Sequence, residues 1–264
     1  MFITIINDCK SENDIGRQET RWACLFPNTL ISFVGVDSNL ETASTLEAAG
    51  NLVDILDASE GSEGVILLNV APRGQTKDDG ENGSRFCYFW YKNTLVVSTI
   101  KGYNLSLVKK LNLVEEIYLL DISKVIDFAI ERSLISQTTS ERVVKSQFRS
   151  FDFTPWASRW LWDGRKIPSL PISINQIADV PVCIWYIDSF GNAKTTLLDC
   201  EVKKLTKKFK FYQRLKDVPD GETAFYIGSS GIGNQRFIEL ATQNRVGSAA
   251  FKLNLKVGDK IRLL

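Results

Sequence analysis

The 264-residue chain contains no histidine. Imidazole is the commonest general base and the commonest neutral nitrogen ligand of metals. Its absence excludes Ser-His-Asp and Cys-His catalysis and every His-containing zinc site. The five cysteines, Cys9, Cys24, Cys87, Cys183 and Cys200, are scattered and form no C-x-x-C pair. An all-thiolate site is therefore not expected, and no metal is assigned. The same scatter suits a reducing cytoplasm, with the thiols as small packing groups. An excess of one charge is also missing, since 32 Lys and Arg face 31 Asp and Glu. Nucleic-acid binding rests on clustered, unbalanced basic residues, so no nucleic-acid partner is expected. The one lysine-rich stretch, Lys203, Lys204, Lys207, Lys208 and Lys210, alternates with Leu205, Phe209 and Phe211 as a solvated face does. Nowhere do about 18 apolar residues run together. The opening residues MFITIIND carry neither a basic region nor a small-residue cleavage site. A cytoplasmic protein with no membrane partner is the expectation.

What the chain does contain reads as an α/β domain with a central, largely parallel sheet, followed by a smaller all-β, barrel-like domain. Phe2 to Ile6, Leu30 to Val36, Val65 to Val70, Phe86 to Trp90, Thr94 to Thr99 and Glu116 to Leu120 are strand-like. Leu46, Ala49, Val53 and Leu56 recur at helical spacing, and Val125 to Leu134 predicts another helix. The run VILLNV is apolar but for Asn69, as in a strand buried on both faces. Residues 1–165 are assigned to the first domain and 166–176, with two prolines and few charges, to a linker. Residues 177–264 form the second domain, in which Val182 to Ile187, Thr195 to Val202, Lys208 to Tyr212, Ala224 to Ile227, Phe237 to Ala241 and Lys260 to Leu264 alternate with turn signals.

Several groups of residues could carry chemistry. Asp8 ends the first strand, where α/β sheets bind ligands; it could accept two hydrogen bonds from a ribose diol, or cap the following helix. In the segment IDSFGNAKTT, Ile187 to Thr196, one aspartate, one aromatic and one amide lie within five residues. They form a turn in which Gly191 is free to take positive φ, or a site for an amine, a ring face and a purine edge. Gly228 to Asn234 lacks the lysine and spacing of a phosphate loop and reads as a turn near a site. Trp156 and Trp160 are at helical spacing, which favours core packing over a ligand platform; Trp162 joins them. Arg149 and Asp152 form either a pair at a cleft or a surface ion pair.

In order, these pieces resemble the S-adenosyl-L-methionine (SAM) hydroxide adenosyltransferase family, which includes SAM-dependent chlorinases and fluorinases. The opening strand ending at Asp8, the LEAAGNLVDIL stretch from Leu46 and the strand leading to Pro72 are similar to the family's first half. IDSFGNAKTT is similar to its Asp-x-(x)-Phe-Gly-Asn-x-x-Thr-Asn segment, and RFIELATQNRVGSAAFKLNLKVGDKIRL to its closing strand, Gly-x-Ala-Ala turn and Lys-x-Gly-Asp end. The resemblance implies homotrimers with SAM or adenosine held between the first domain of one subunit and the second domain of the next. SAM is then substrate or ligand, with no separate cofactor. Asp8 would hold the ribose hydroxyls, Asp188 the methionine ammonium, Phe190 the adenine face and Asn192 its polar edge. Asn234, or one of Ser229 and Ser230, would contact the methionine carboxylate, and the backbone at Ala249 would approach adenine.

The departures fall at the chemistry. Where water-using members carry an Asp before the turn proline, this chain has Ala71; where they carry a histidine, it has Phe148. Arg73 or Arg85 stands nearest the family's arginine, and Ala43 occupies the position of the substrate-flanking aromatic of halogenating members. The implied reaction is displacement of methionine at ribose C5′ by water, slow or with another nucleophile such as halide; the alternative is a SAM or nucleoside binder that has lost the reaction.

Overall fold

The computed structural model describes residues 1–37, 42–71, 84–204, 209–244 and 248–261. The first half opens with β1 (Phe2–Asn7), α1 (Glu12–Leu25), β2 (Leu30–Gly35), α2 (Thr42–Ala58), β3 (Gly64–Asn69), β4 (Phe86–Tyr91) and β5 (Thr94–Thr99). It continues with α3 (Ser106–Lys110), β6 (Glu116–Leu120), α4 (Ile122–Glu131), α5 (Gln137–Lys145), α6 (Arg149–Asp152), α7 (Thr154–Trp162) and β7 (Ser169–Ser173). The seven strands form one sheet in the order β2-β1-β3-β5-β4-β6-β7. β2, β1, β3 and β5 pair in parallel, and the remaining pairings are antiparallel. Helices cover both faces: Ile3, Ile5, Val65 and Leu67 pack with Trp22 of α1 and Trp160 of α7. Ile6, Ile66 and Leu68 pack with Leu52 of α2 on the other face. This double cover is why VILLNV is apolar at every position but Asn69.

The second half carries β8 (Ile184–Ile187), β9 (Ala193–Leu198), β10 (Phe211–Tyr212), β11 (Thr223–Ile232), β12 (Gln235–Thr242) and α8 (Ala249–Leu253). They form a five-stranded sheet in the order β10-β11-β12-β9-β8, antiparallel except between β10 and β11. Its own core of Ile184, Leu197, Phe225, Ile238 and Leu240 is shared with Ala250 of α8.

The structure departs from the sequence reading in several places. The stretch expected as a linker contains β7, which pairs with β6 as the last strand of the first sheet. Pro171 is tolerated because β7 is an edge strand, where a missing N–H breaks no ladder. Gly228 to Ile232 belongs to β11 rather than to a turn, and only Gly233 and Asn234 turn the chain into β12. A bulge between Ile227 and Gly231 hides the strand from a period-two reading. α4 begins before Val125 because Asp121 caps it, accepting from Lys124 N at 3.3 Å. β9 stops at Leu198, followed by a 3-10 turn over Asp199–Lys204. The expected last strand is a single bridge between Lys260 and Cys183, with residues 262–264 outside the described residues. Of the lysine-rich stretch, Lys210 is described and pairs with Glu222 at 3.4 Å, while residues 205–208 lie outside the described set. The tryptophans are packing residues: Trp160 is buried, Trp156 lies 6.0 Å from it, and Trp162 stacks on Trp90.

α2 joins the two sheets. The expected stripe of Leu46, Ala49, Val53 and Leu56 is buried, and so are Ala48 and Leu52. A helix apolar over so wide an arc is one covered on more than one side. The first sheet lies against one side and the β8–β12 sheet roofs the other, where Trp185 sits so close that a Cβ at Gly50 would overlap its ring. No helix among the described residues is long and apolar enough to cross a membrane.

Candidate functional site

The carboxyl end of β1 is fixed by amides. Asn7 and Gln18 are fully buried, and Asn7 Nδ2 donates to Gln18 Oε1 at 2.6 Å. Asn7 Oδ1 accepts from Cys9 N at 2.9 Å and from Asn69 Nδ2 at 3.1 Å. Leaving one such buried group unpaired costs about 1–3 kcal/mol, so the network holds the backbone on both sides of Asp8. Gln18 and Asn69 were missed by the sequence reading; the signal was a lone amide four residues before Trp22 on the buried face of α1. Ser11, not Asp8, caps α1, accepting from Asp14 N at 3.3 Å. Asp8 Oδ2 instead accepts from Ala71 N at 3.1 Å, tying the ends of β1 and β3. Burial raises the Asp8 pKa above the ordinary carboxylate value, against the opposing pull of the backbone N–H groups of Ala71, Asp8 and Cys9.

Ala71 thus stands beside Asp8, as its place after β3 implies. Arg73 lies outside the described residues, and Arg85 is exposed. Ala43, at the start of α2, faces Gly258, where an added Cβ would come within 3.5 Å of it. Phe148 is half-buried, stacked 5.6 Å from Phe151, with the Arg17 guanidinium 5.3 Å from its ring. Asp152 is buried, accepts from Ser146 Oγ at 2.5 Å and pairs with Arg142 at 3.5 Å and Arg21 at 3.9 Å. Arg149 Nη2 donates to Ser84 O at 2.9 Å.

The second half-site is the turn from β8 to β9. Asp188 Oδ1 accepts from Phe190 N and from Asn192 N, both at 2.9 Å, and Oδ2 accepts from Asn192 Nδ2 at 3.0 Å. Gly191 takes φ +76°, and a Cβ there would strike Ser248, the cap of α8. Ala250 N donates to Gly191 O at 3.0 Å, which brings Ala249 and the start of α8 against the turn. Asp188, Phe190, Asn192 and Ala249 are therefore one cluster. Two aromatic rings stand open beside it, Phe190 at 80% and Phe251 at 83% exposure.

Asn234 lies elsewhere, exposed at the β11–β12 tip and lining a cleft of about 670 Å³ with Asp57, Tyr91, Lys92 and Arg236. The glycine-serine strand beside it is engaged by α2. Asp54 accepts from Ser230 Oγ at 2.8 Å and Gly231 N at 3.1 Å; Asp57 accepts from Gly233 N at 2.9 Å and Arg236 Nη1 at 2.7 Å. Carboxylates of this chain thus occupy the backbone donors that an anion nest would offer.

A charged row under the Asp188 turn was also missed. Glu239 pairs in register with Lys194 on one side and Tyr226 on the other. Tyr226 Oη donates to Glu239 Oε2 at 2.5 Å, while Glu239 Oε1 is buried with no partner. Lys194 Nζ donates to Ser230 Oγ at 2.5 Å and lies 3.4 Å from Asp54. Burial, then the nearby negative charges of Asp188 and Asp54, raise the Glu239 pKa against Tyr226 and Lys194. The sequence signal was a glutamate inside the otherwise apolar core of RFIELA. Among the described residues, no group of three or more His, Cys, Asp or Glu could hold a metal ion.

Residues 182–262 match the family described as SAM hydroxide adenosyltransferase C-terminal domain. The matched span contains Asp188, Phe190, Asn192, Asn234 and Ala249; Asp8, Ala71 and Phe148 precede it. The second half of the chain is thus similar to a domain of the SAM hydroxide adenosyltransferases. Two solved structures share the whole architecture. An uncharacterized conserved protein from Thermotoga maritima aligns over 97% of this chain and 98% of its own, at 18% identity and a TM-score of 0.63. A conserved hypothetical protein from Thermus thermophilus aligns over 97% of each chain, at 18% identity and a TM-score of 0.56. At that identity the likeness speaks for the fold alone. No curated protein matches the chain.

Proposed function

We propose that the chain binds S-adenosyl-L-methionine in a homotrimer, between the Asp8 end of one subunit and the Asp188 turn of the next, and that water displaces methionine at ribose C5′. The observation that carries this reading is the Asp188–Asn192 turn, in a span matching the SAM hydroxide adenosyltransferase C-terminal domain and flanked by the open ring of Phe190.

Each residue then has a physical task. The Asp8 carboxylate is held by Ala71 N and by the backbone N–H groups of Asp8 and Cys9, and its lone pairs beyond these would meet the ribose diol. Asp188, preorganised by three donors of its own turn, offers a fixed charge to the methionine ammonium. Phe190 covers one face of adenine, Asn192 meets its polar edge, and Ala249 backs the ring. In the reaction the water oxygen forms a bond to C5′ as the C5′–S bond breaks. The bonding pair stays on sulfur, so the sulfonium leaves as neutral methionine thioether, and the water's extra proton passes to solvent. Holding the reactants in line supplies up to roughly 7–11 kcal/mol without any acid or base.

A second reading, binding without turnover, is favoured by Ala71 and Phe148. Neither can take a proton, and the Phe148 ring is engaged by Phe151 and Arg17. Loss of a group that assists proton transfer slows reaction by about 100- to 10,000-fold. Incubation with SAM, with and without chloride, followed by chromatography for adenosine, 5′-chloroadenosine and methionine separates the two. Adenosine with methionine is the expected result. Saturable binding without product selects the second reading, and no binding refutes both.

A further inference from the structure

On the face of the first sheet away from α2, the outer side of α1 forms one wall of a groove of about 660 Å³. Arg17 and Arg21, four residues apart, project from the same side of the helix. Both guanidiniums converge on one ring, with centroid distances to Phe151 of 4.7 Å for Arg17 and 4.4 Å for Arg21. Two like charges at this spacing repel, and an exposed cation–π contact returns only about 0.5–1 kcal/mol. The carboxylate nearby, Asp152, is shared by Arg21 and Arg142. Arg17 has no ion pair among the described residues. Arg21 Nη1 is buried, makes no hydrogen bond and lies 3.9 Å from Asp152 Oδ1. Burial, and then the Arg142 charge, lower the Arg21 pKa against the raising pull of Asp152. Glu12, the acid in the lining, is an exposed residue of the first helical turn, five residues before Arg17 and so off its i, i+4 positions.

We propose that this groove binds the oxyanion group of a small molecule, a phosphate or a carboxylate, gripped between Arg17 and Arg21 with Phe151 as the fixed floor. Guanidinium forks match such planar or tetrahedral oxyanions by paired, charge-assisted hydrogen bonds. Stacking on one ring orients both forks in advance, and Thr20 and Asn13 add neutral polar groups to the same lining. The groove lies against Phe148 rather than at the Asp188 turn, and anion binding there is measured with no SAM present, so its failure is distinguishable from a failure of SAM binding.

Hydrogen–deuterium exchange of the intact chain tests it, with inorganic phosphate in one arm and acetate in the other, at constant ionic strength. The expected result is protection of residues 12–24 and 146–153 that saturates with anion concentration. Protection by phosphate alone assigns a phosphorylated ligand; equal protection by acetate assigns a carboxylate. Arg17→Gln should raise the half-saturating concentration about tenfold, the loss expected for one charge-assisted hydrogen bond. Arg17 is exposed, and exchange over the rest of the chain reports whether that variant keeps its fold. Arg142→Gln, outside the grip, should shift the midpoint less. Absence of saturable protection with either anion, or an unchanged midpoint in Arg17→Gln, would overturn the proposal.

Discussion

Asp8 and Asp188 occupy opposite kinds of setting. Asp8 closes a strand of a doubly covered sheet: Gln18 and Asn69 fix Asn7 beside it, and Ala71 N, far along the chain, reaches its carboxylate. Asp188 is held almost wholly by residues within four positions of itself. Burial raises the pKa of the first, whereas the second sits in a turn whose aromatic ring is largely open to solvent. The contrast shows two settings for a carboxylate, one at a strand end fixed by amides from elsewhere in the chain and one within a local turn, and only the second leaves its mark in a short stretch of sequence.

Breaking the local turn should have the largest effect. Asp188→Ala removes a charge and three acceptor contacts, and is expected to weaken SAM binding by about 2–5 kcal/mol in isothermal titration calorimetry. Unchanged affinity would remove Asp188 from the site. Asp8→Asn should cost less, about 1.5–3 kcal/mol, because an amide oxygen still accepts from one ribose hydroxyl. It should also alter the pH profile. With its pKa raised, Asp8 loses its charge as pH falls sooner than an ordinary aspartate, so wild-type binding should weaken at mildly acidic pH while Asp8→Asn stays flat. A profile shared by both proteins would assign that titration to another group.

The seam between the halves comes next. Gly50→Ala places a methyl into the Trp185 ring and should destabilise the fold by about 1–3 kcal/mol, read by denaturant unfolding. A change below that range would mean α2 can shift away from the β8–β12 sheet. The smallest effect is expected from Glu239→Gln. Because the Glu239 pKa is raised in the folded chain, its carboxyl favours folding when protonated. Wild-type stability from this group is full below the ordinary carboxylate pKa and declines as pH rises towards the raised value. Glu239→Gln should flatten that decline in thermal unfolding across mildly acidic pH, and an unchanged slope would show that Glu239 does not titrate there.

The same contrast explains what the sequence disclosed. Alternation and helical spacing located the strands and α2 because each obeys one period over its own length. The Asp188 turn was legible because its chemistry is contiguous. The buried arc of α2 is wider than its apolar stripe because the β8–β12 sheet, formed much later in the chain, covers a second side of the helix, where Gly50 meets Trp185. β7 was hidden by Pro168 just before it and Pro171 within it, and the end of β11 by a bulge that shifts the strand period. Gln18, Asn69, Lys194 and Glu239 act through partners on other strands or helices, and no local pattern marks such pairings.

In the proposed trimer, Asp8 and Asp188 of different chains face one SAM molecule. Asp8→Ala and Asp188→Ala chains, each deficient alone, can be unfolded, mixed in equal amounts, refolded together and titrated with SAM. Random assembly of a ring with head-to-tail interfaces leaves about a quarter of the sites with both aspartates intact. The mixture is expected to regain about that fraction of wild-type sites at wild-type affinity. Binding no better than either parent would contradict it.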